Sequence, residues 1–354
     1  MAQNVQIEKA PVENLSIPSA AGYDIEKHGD SIKYIISLSS YIFQEGEGKP
    51  PLKKVAAGEA LSIGQTRQSR QKKLGKSFTL GLEKVYVISE ESAEIGIRSI
   101  LDILFNNQRL NDTALMVVCK GKAEEILNFD VIGHPTSADY LQDMINNSKV
   151  FNFFNDNYKL IDVFVRVDAE GRRVIVPYIE ISQNELQITG LALFKNDKLI
   201  RKIDIKDARA LNMLSVNAGK GLITVQKSSK IFADYYAKVK RKINCTKKDG
   251  KFVFDIKLDF KGDITTNEYI KEAKDDIKEK EKLEKEIEEV IEKDSNEIIN
   301  KMQKEYKMDC LELGRIAAAK YGRDTGIDWD EVVSNSEINV KASVKIVKQG
   351  RGDY

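Results

Sequence analysis

KFVFDIKLDF, residues Lys251–Phe260, sets Phe252, Phe254, Ile256, Leu258 and Phe260 against Lys251, Asp255, Lys257 and Asp259. A period of two over that length predicts a strand with one buried and one wet face. Upstream, Val239, Arg241, Ile243 and Cys245 alternate with Lys238, Lys240, Lys242 and Asn244 in the same way. Asp249-Gly250 stands between the two runs, and a tight hairpin turn needs residues that tolerate positive φ at both central positions. Near the C-terminus, Ile338, Val340, Ala342, Val344 and Ile346 repeat the pattern over Ile338–Val347. The three runs predict one antiparallel sheet with a single solvated face.

Between them the sequence predicts a long helix over roughly residues 267–307, with Thr265 and Glu268 at the spacing of a capping box. Of the 23 residues Lys271–Lys293, 17 are charged, and Asp276–Lys280, Glu281–Lys285 and Glu289–Lys293 are favourable i,i+4 pairs. Its apolar stripe is Leu283, Ile287, Ile291, Ile298, Met302 and Tyr306. At full length it would reach ~60 Å, so its first half is expected to project or bend. Its carboxylates read as a solvated face. A second helix follows over Leu311–Tyr321, with Gly322 as its stop.

Toward the N-terminus, Ser31–Phe43 alternates as a half-buried strand, and Gln44–Lys76 reads as an irregular excursion with a short helix near Ala60. A strand over Lys84–Ile88 leads into one helix over Glu90–Phe105, capped by Ser89. A strand over Ala114–Cys119 and a helix over Lys122–Phe129 complete a β–α–β–α order, which predicts a sheet with helices packed on it. Leu160–Val167, Arg172–Ile181 and Glu185–Phe194 read as strands, the first two joined into a hairpin by Ala169-Glu170-Gly171. A boundary near residue 185 divides the chain into an N-terminal α/β domain, 1–185, and a C-terminal α+β domain, 186–354. The fold class expected is α+β, multi-domain, with mixed and antiparallel sheets, packed helices and one long charged helix.

The 354 residues are 42% hydrophobic and 31% charged, with 56 Lys+Arg against 55 Asp+Glu. That balance argues against a nucleic-acid partner, which draws a basic excess. Cys119, Cys245 and Cys310 form no CxxC pair, and Cys119 reads as a buried strand thiol. No stretch approaches the ~20 apolar residues that cross a bilayer, and MAQNVQIEKAPVENL has no signal-peptide pattern.

The search for chemistry returns no catalytic, cofactor-binding or metal-binding residues. Gly58…Gly64-Gln65-Thr66 misses a phosphate-loop spacing and its lysine, and Asn217–Gly221 reads as a turn into a strand over Leu222–Gln226. His28 and His134 each sit beside turn residues, and neither a nucleophile elbow nor a zinc-protease helix is present. Lys238, Lys240, Lys242, Lys341 and Lys345 form either a patch that meets an anionic membrane or the wet face of a sheet, the second being the simpler reading. Arg351-Gly352-Asp353 matches a cell-adhesion tripeptide too short to carry weight.

Four segments, in order and at matching separations, resemble the Ger(x)C family, the C subunits of spore germinant receptors. They are Ala20–Glu26 (AAGYDIE), the stretch Leu80–Leu127 with Ser92–Ile97, Ile100–Asp102 and Lys120–Ala123, and Thr189–Ile205 (TGLALFKNDKLIRKIDI). The fourth joins the long charged helix to Asp309–Gly314, Trp329 and a closing strand ending at Gly350. Asn106-Asn107 and Arg201 depart from the pattern, as do the missing leader and lipobox cysteine. The resemblance implies a non-enzymatic lipoprotein without a cofactor, on the outer face of the spore inner membrane. It would work with an integral A subunit and a transporter-like B subunit, through an N-terminal lipid anchor that this chain does not carry. Gly190, Phe194, Asp309, Gly314 and Trp329 are the family-matching positions, for which structural roles explain most and an interface few. The rival readings are a substrate-binding lipoprotein that captures a nutrient itself, marked by a deep polar pocket, and an unfamiliar hydrolase, marked by a titratable cluster in a cleft.

Overall fold

The computed structural model describes residues 15–29, 31–43, 48–73, 75–78, 81–268 and 277–349. The chain opens with β1 (Leu15–His28) and β2 (Ser31–Ile42), an antiparallel pair joined at Gly29, whose φ is +59°. β3 (Leu52–Ala60) extends this pair, where the sequence suggested an excursion with a helix near Ala60. The helix comes later, as α1 (Thr66–Gln71), and lies against β3: a Cβ on Gly58 would stand 2.2 Å from the Thr66 carbonyl oxygen. Gly58 allows this approach, and the run of small residues Ala56, Ala57 and Gly58 hides the strand's alternation.

β4 (Ser77–Phe78) and β5 (Val85–Ser89) both pair parallel with β1. The single helix expected over Glu90–Phe105 is two, α2 (Glu90–Ile95), capped by Ser89 as expected, and α3 (Arg98–Phe105). Gly96 divides them at φ +134°, and a Cβ there would lie 2.5 Å from Asp197 Oδ2. The Ile97 amide leaves the helix to donate to the Asp197 carbonyl at 2.9 Å. β6 (Leu115–Cys119), α4 (Ala123–Asn128) and α5 (Ser137–Phe151) follow, the last opened by a Thr136–Asp139 capping box.

Leu160–Val167 is a helix, α6, and not a strand. Six of its eight residues are apolar and several β-branched, which imitates a buried strand. Burial instead follows helical spacing at Leu160, Val163 and Val167, and Asp162 accepts from the Lys159 amide. Ala169-Glu170-Gly171 therefore turns from helix to strand, into β7 (Ile175–Ser182), which pairs parallel with β6. β8 (Glu185–Lys195) returns through Gln183 and Asn184, both at positive φ, and β9 (Lys198–Asp204) ends the sheet. The path is β3-β2-β1-β5-β6-β7-β8-β9 with β4 beside β1, so the sheet runs on past residue 185.

α7 (Ile205–Ser215), capped by Asp204, leads to β10 (Lys220–Ser228), β11 (Ile231–Lys248) and β12 (Lys251–Asn267). The β11–β12 hairpin turns at Asp249 and Gly250 with φ +50° and +80°, as their sequence demands. Thr265 lies inside β12, and the Glu268 amide donates to Phe232, so these residues extend the hairpin rather than cap a helix. The long helix is described from Ile277, as α8 (Ile277–Lys301), and ends in a π-helical turn over Met302–Tyr306; residues 269–276 lie outside the described residues. α9 (Leu313–Tyr321), stopped at Gly322, and α10 (Trp329–Ser334) precede β13 (Glu337–Gln349).

β13 joins β12 in parallel, where the strand pattern suggested an antiparallel partner. The three helices form the crossover that a parallel pair needs, and alternation within a strand carries no information on its direction. The result is the α+β fold expected, with helices packed on two sheets. On the first sheet Val85, Val87, Leu115 and Val117 face a core shared with α4, α5, α7 and the whole second sheet. Tyr86, Ile88, Met116 and Val118 face a separate core under α3 and α6.

Candidate functional site at the joint between the sheets

The segment between α6 and β7 meets the segment between α8 and α10, and most polar side chains at that meeting are paired. Beyond the π-helical turn, Lys307 takes a left-handed conformation at φ +47°, which swings Asp309 beneath the start of α9. The buried Asp309 carboxylate accepts from the amides of Leu311 and Leu313, each at 3.1 Å, and of Gly314 at 2.6 Å. These include the first amides of α9, which have no partner inside the helix and carry its positive end. Burial pushes the Asp309 carboxyl up to about 6, against the opposing effect of these bonds and of Arg173.

The Asp309 amide in turn donates to Asp330 Oδ1 at 2.9 Å. Asp330 is 1% exposed and holds Arg173 from the other side of the joint, with Nη2 at 2.7 Å and Nε at 3.0 Å. Lys195, next to Phe194 at the end of β8, reaches the same carboxylate at 3.4 Å. Glu312 gathers Arg166 at 3.1 Å, Arg315 at 3.0 Å and Arg172 at 3.9 Å. The nearly buried Arg173–Asp330 pair adds little net stability over an apolar substitute, yet losing one partner leaves an uncompensated charge. Such pairs fix orientation.

Packing closes the joint. Gly314 lies so near α10 that a Cβ would stand 2.5 Å from Trp329 Cβ. The Trp329 indole donates from Nε1 to Glu170 Oε1 at 2.9 Å, and its ring meets Phe252 edge-on at 5.5 Å. Gly171, at φ +63°, would bring a Cβ to 2.3 Å from the Arg315 amide. A cavity of about 240 Å³ remains beside these contacts, lined among others by Arg166, Arg173, Arg241, Arg315 and Glu312. Arg241 donates to the carbonyls of Ser215 at 3.2 Å and Leu311 at 2.8 Å, and desolvation lowers its pKa to about 10.

Three of the five family-matching positions, Asp309, Gly314 and Trp329, thus come together, and Phe194 stands one residue from Lys195. Phe194 itself is fully buried in the second core. Gly190 lies elsewhere, on β8 between Tyr178 and Asp204, where a Cβ would stand 1.8 Å from the Ile203 carbonyl oxygen. His28 faces Glu26 at 3.7 Å and His134 faces Asp143 at 3.4 Å, on separate parts of the molecule. All three cysteines are buried and unpaired, and burial pushes the Cys119 thiol up. Among the described residues no three His, Cys, Asp or Glu side chains converge to hold a metal ion.

Sequence reasoning missed Glu170, Arg172, Arg173 and Asp330, because Ala169–Gly171 reads as a hairpin turn and nothing local to Asp330 shows that Arg173, 157 residues away, meets it. It also misread part of the charged helix. Glu284, Glu288 and Glu292 accept from the amides of Ile346 at 2.8 Å, Val344 at 2.8 Å and Ala342 at 2.9 Å, along the outer edge of β13. Four helical residues rise ~6 Å and two strand residues ~6.6 Å, so an i,i+4 ladder of glutamates matches every second amide of a strand edge. Each glutamate directly follows a residue of the apolar stripe, Leu283, Ile287 or Ile291, and that spacing was the available signal.

The family model for the spore germination protein N-terminal domain matches residues 8–181, and that for the spore germination B3/GerAC like C-terminal region matches residues 189–350. The chain belongs to the Ger(x)C family of germinant receptor C subunits. Spore germination protein GerQC of Bacillus cereus is 25% identical to this Ger(x)C chain over 348 residues, covering 96% of this chain and 93% of its own. Spore germination protein A3 of Bacillus subtilis is 22% identical over 257 residues, 72% of this chain and 68% of its own. The crystal structure of the GerBC protein superposes with a TM-score of 0.57 at 18% identity, covering 92% of this chain and 97% of that one. At that identity the likeness shows a shared fold.

Proposed function

We propose that this Ger(x)C chain is a non-enzymatic subunit of a membrane nutrient receptor, supporting its assembly or signalling during spore germination. Its partners in this reading are the receptor's A and B subunits. Its folded body stands outside the bilayer, on the outer face of the spore inner membrane, tethered by an N-terminal lipid anchor. The observation that carries the reading is how the joint spends its polar groups. Asp330, Glu312 and Glu170 are hydrogen-bonded across the joint, to Arg173, Arg166 and Trp329, and Asp309 holds the start of α9 that carries Glu312 and Gly314. A body that holds two parts in a set orientation suits a subunit that positions or couples other proteins, whereas a catalytic cluster keeps groups available for a substrate.

The test is nutrient-triggered germination of spores lacking only this protein, beside a complemented strain. A loss of response to one set of nutrients, restored by complementation, is expected. Normal germination to every nutrient in a strain that also lacks the other receptors' C subunits would overturn the reading.

A further inference from the structure

The outer face of the second sheet arranges its lysines in rows. The register places Lys220, Lys238, Lys261 and Lys345 side by side across β10, β11, β12 and β13. Four residues along β11, Lys242, Lys257 and Lys341 form a second row, and Lys240 stands between the two rows opposite Asp259. All eight lysines are exposed. Asp259 lies between the rows, 3.3 Å from Lys257, and Asp255 and Asp263 flank the rows on the same face of β12; among the described residues the other seven lysines make no ion pair. Strands lie ~4.8 Å apart, so the longer row spans ~14 Å and the two rows are separated by ~13 Å.

Like charges directly opposite each other on neighbouring strands repel and destabilise the sheet. Lysine placed to discourage edge pairing belongs on edge strands, but five of these eight lie on the central strands β11 and β12. The chain as a whole carries a net charge of +1, so this face is a local excess and not a reflection of composition. At one margin Tyr236, on the same face of β11 two residues from Lys238, touches Phe151 with ring centroids 5.6 Å apart. Phe151 is 57% exposed.

We propose that this face lies against an anionic phospholipid surface, with the lysine rows over the headgroups and Phe151 at the margin of the contact. Charge complementarity selects the occupant. Protein interfaces are depleted in lysine and enriched in arginine and aromatic residues, and single-stranded nucleic acid is met by aromatic stacking platforms. A flat field of lysines with one exposed phenylalanine at its rim fits a lipid surface, where basic side chains bind by summed attraction. The inference deepens the membrane location proposed above and rests on it. It assigns which side of the body faces the bilayer and sets the joint and α8 on other sides of the sheet.

The experiment uses the full chain without anchor or partner subunits, so its failure is separable from failure of the germination test. Co-sedimentation is measured with phosphatidylcholine vesicles, with and without phosphatidylglycerol, at low and physiological salt. Binding is expected to require phosphatidylglycerol and to weaken as salt rises. Each lysine near such a surface contributes about fivefold to partitioning. The variant Lys238→Gln/Lys261→Gln is therefore expected to bind more than about tenfold more weakly, while Lys72→Gln/Lys304→Gln, the same charge change elsewhere, binds as the wild type. All four positions are exposed, so the variants are expected to fold, which circular dichroism checks. Absence of phosphatidylglycerol-dependent binding, or equal loss in both variants, overturns the proposal. Binding to polyglutamate or to DNA without binding to vesicles also overturns it, in favour of an acidic macromolecular partner.

Discussion

Replacing Glu284, Glu288 and Glu292 together by alanine should unlock the free edge of β13. Each carboxylate accepts one amide of that edge at 2.8 to 2.9 Å and is half-buried between α8 and the strand. A hydrogen bond to a charged group contributes about 1.5–3 kcal/mol net. Water replaces part of that at a half-exposed edge, leaving about 1 kcal/mol per site and about 3 kcal/mol for the three. Alanine's better helix propensity returns a few tenths of a kcal/mol per position, so the loss is not a helix effect. Glutamine keeps the acceptor without its charge and should lose about half as much. The assay is amide hydrogen exchange over residues 337–349, with size-exclusion chromatography in parallel. We expect exchange about fivefold faster per 1 kcal/mol lost, and self-association through the bared edge. The control removes Glu281 and Glu289, which are exposed on the same helix. Exchange within twofold of wild type in the triple alanine variant, or equal acceleration in the control, would refute the reasoning.

Gly314→Ala forces a Cβ to 2.5 Å from Trp329 Cβ and should destabilise by about 1–3 kcal/mol, the usual cost of overpacking. The chain has one tryptophan, so a shift of its fluorescence reports whether the joint opened. Arg173→Ala leaves the buried Asp330 carboxylate without its main partner and should cost about 3–5 kcal/mol in denaturant unfolding. Arg173→Met/Asp330→Leu, which removes both charges, should recover much of that loss. Asp309 is raised on folding from 3.8 to about 6, so the folded state holds its proton where the unfolded state has released it. Its contribution to stability is present below pH 4 and is lost as pH rises through 6. Subtracting the profile of Asp309→Asn from that of the wild type should therefore leave a difference that falls on the order of 2–3 kcal/mol across that window. A flat difference would show that the carboxyl is not shifted.

Local order was legible wherever neighbours in sequence decide it. The β11–β12 hairpin follows from period-two burial and an Asp-Gly turn, and the buried stripe of α8 from 3.6-residue spacing. Ser89 opens α2 and Gly322 closes α9 as their chemistry requires. Where side-chain type and periodicity disagreed, type misled: Leu160–Val167 is rich in strand formers, but its burial in the second core follows a helix. β3 was hidden for the opposite reason, since Ala56, Ala57 and the Gly58 that admits α1 carry almost no hydrophobic pattern.

The sequence by itself determined the composition of each face: which residues of the hairpin and of α8 are apolar, where turns can form, and how many charges must find partners. Tertiary structure decided what those charges meet. The parallel entry of β13 stacks lysine on lysine across the wet face and lays the edge amides of β13 along the glutamates of α8. Arg173 and Asp330 are 157 residues apart, and their pairing depends on the turn after α6 meeting the start of α10. Periodicity is a property of one segment, whereas an ion pair or a row of like charges depends on the register between segments, and no single stretch encodes that.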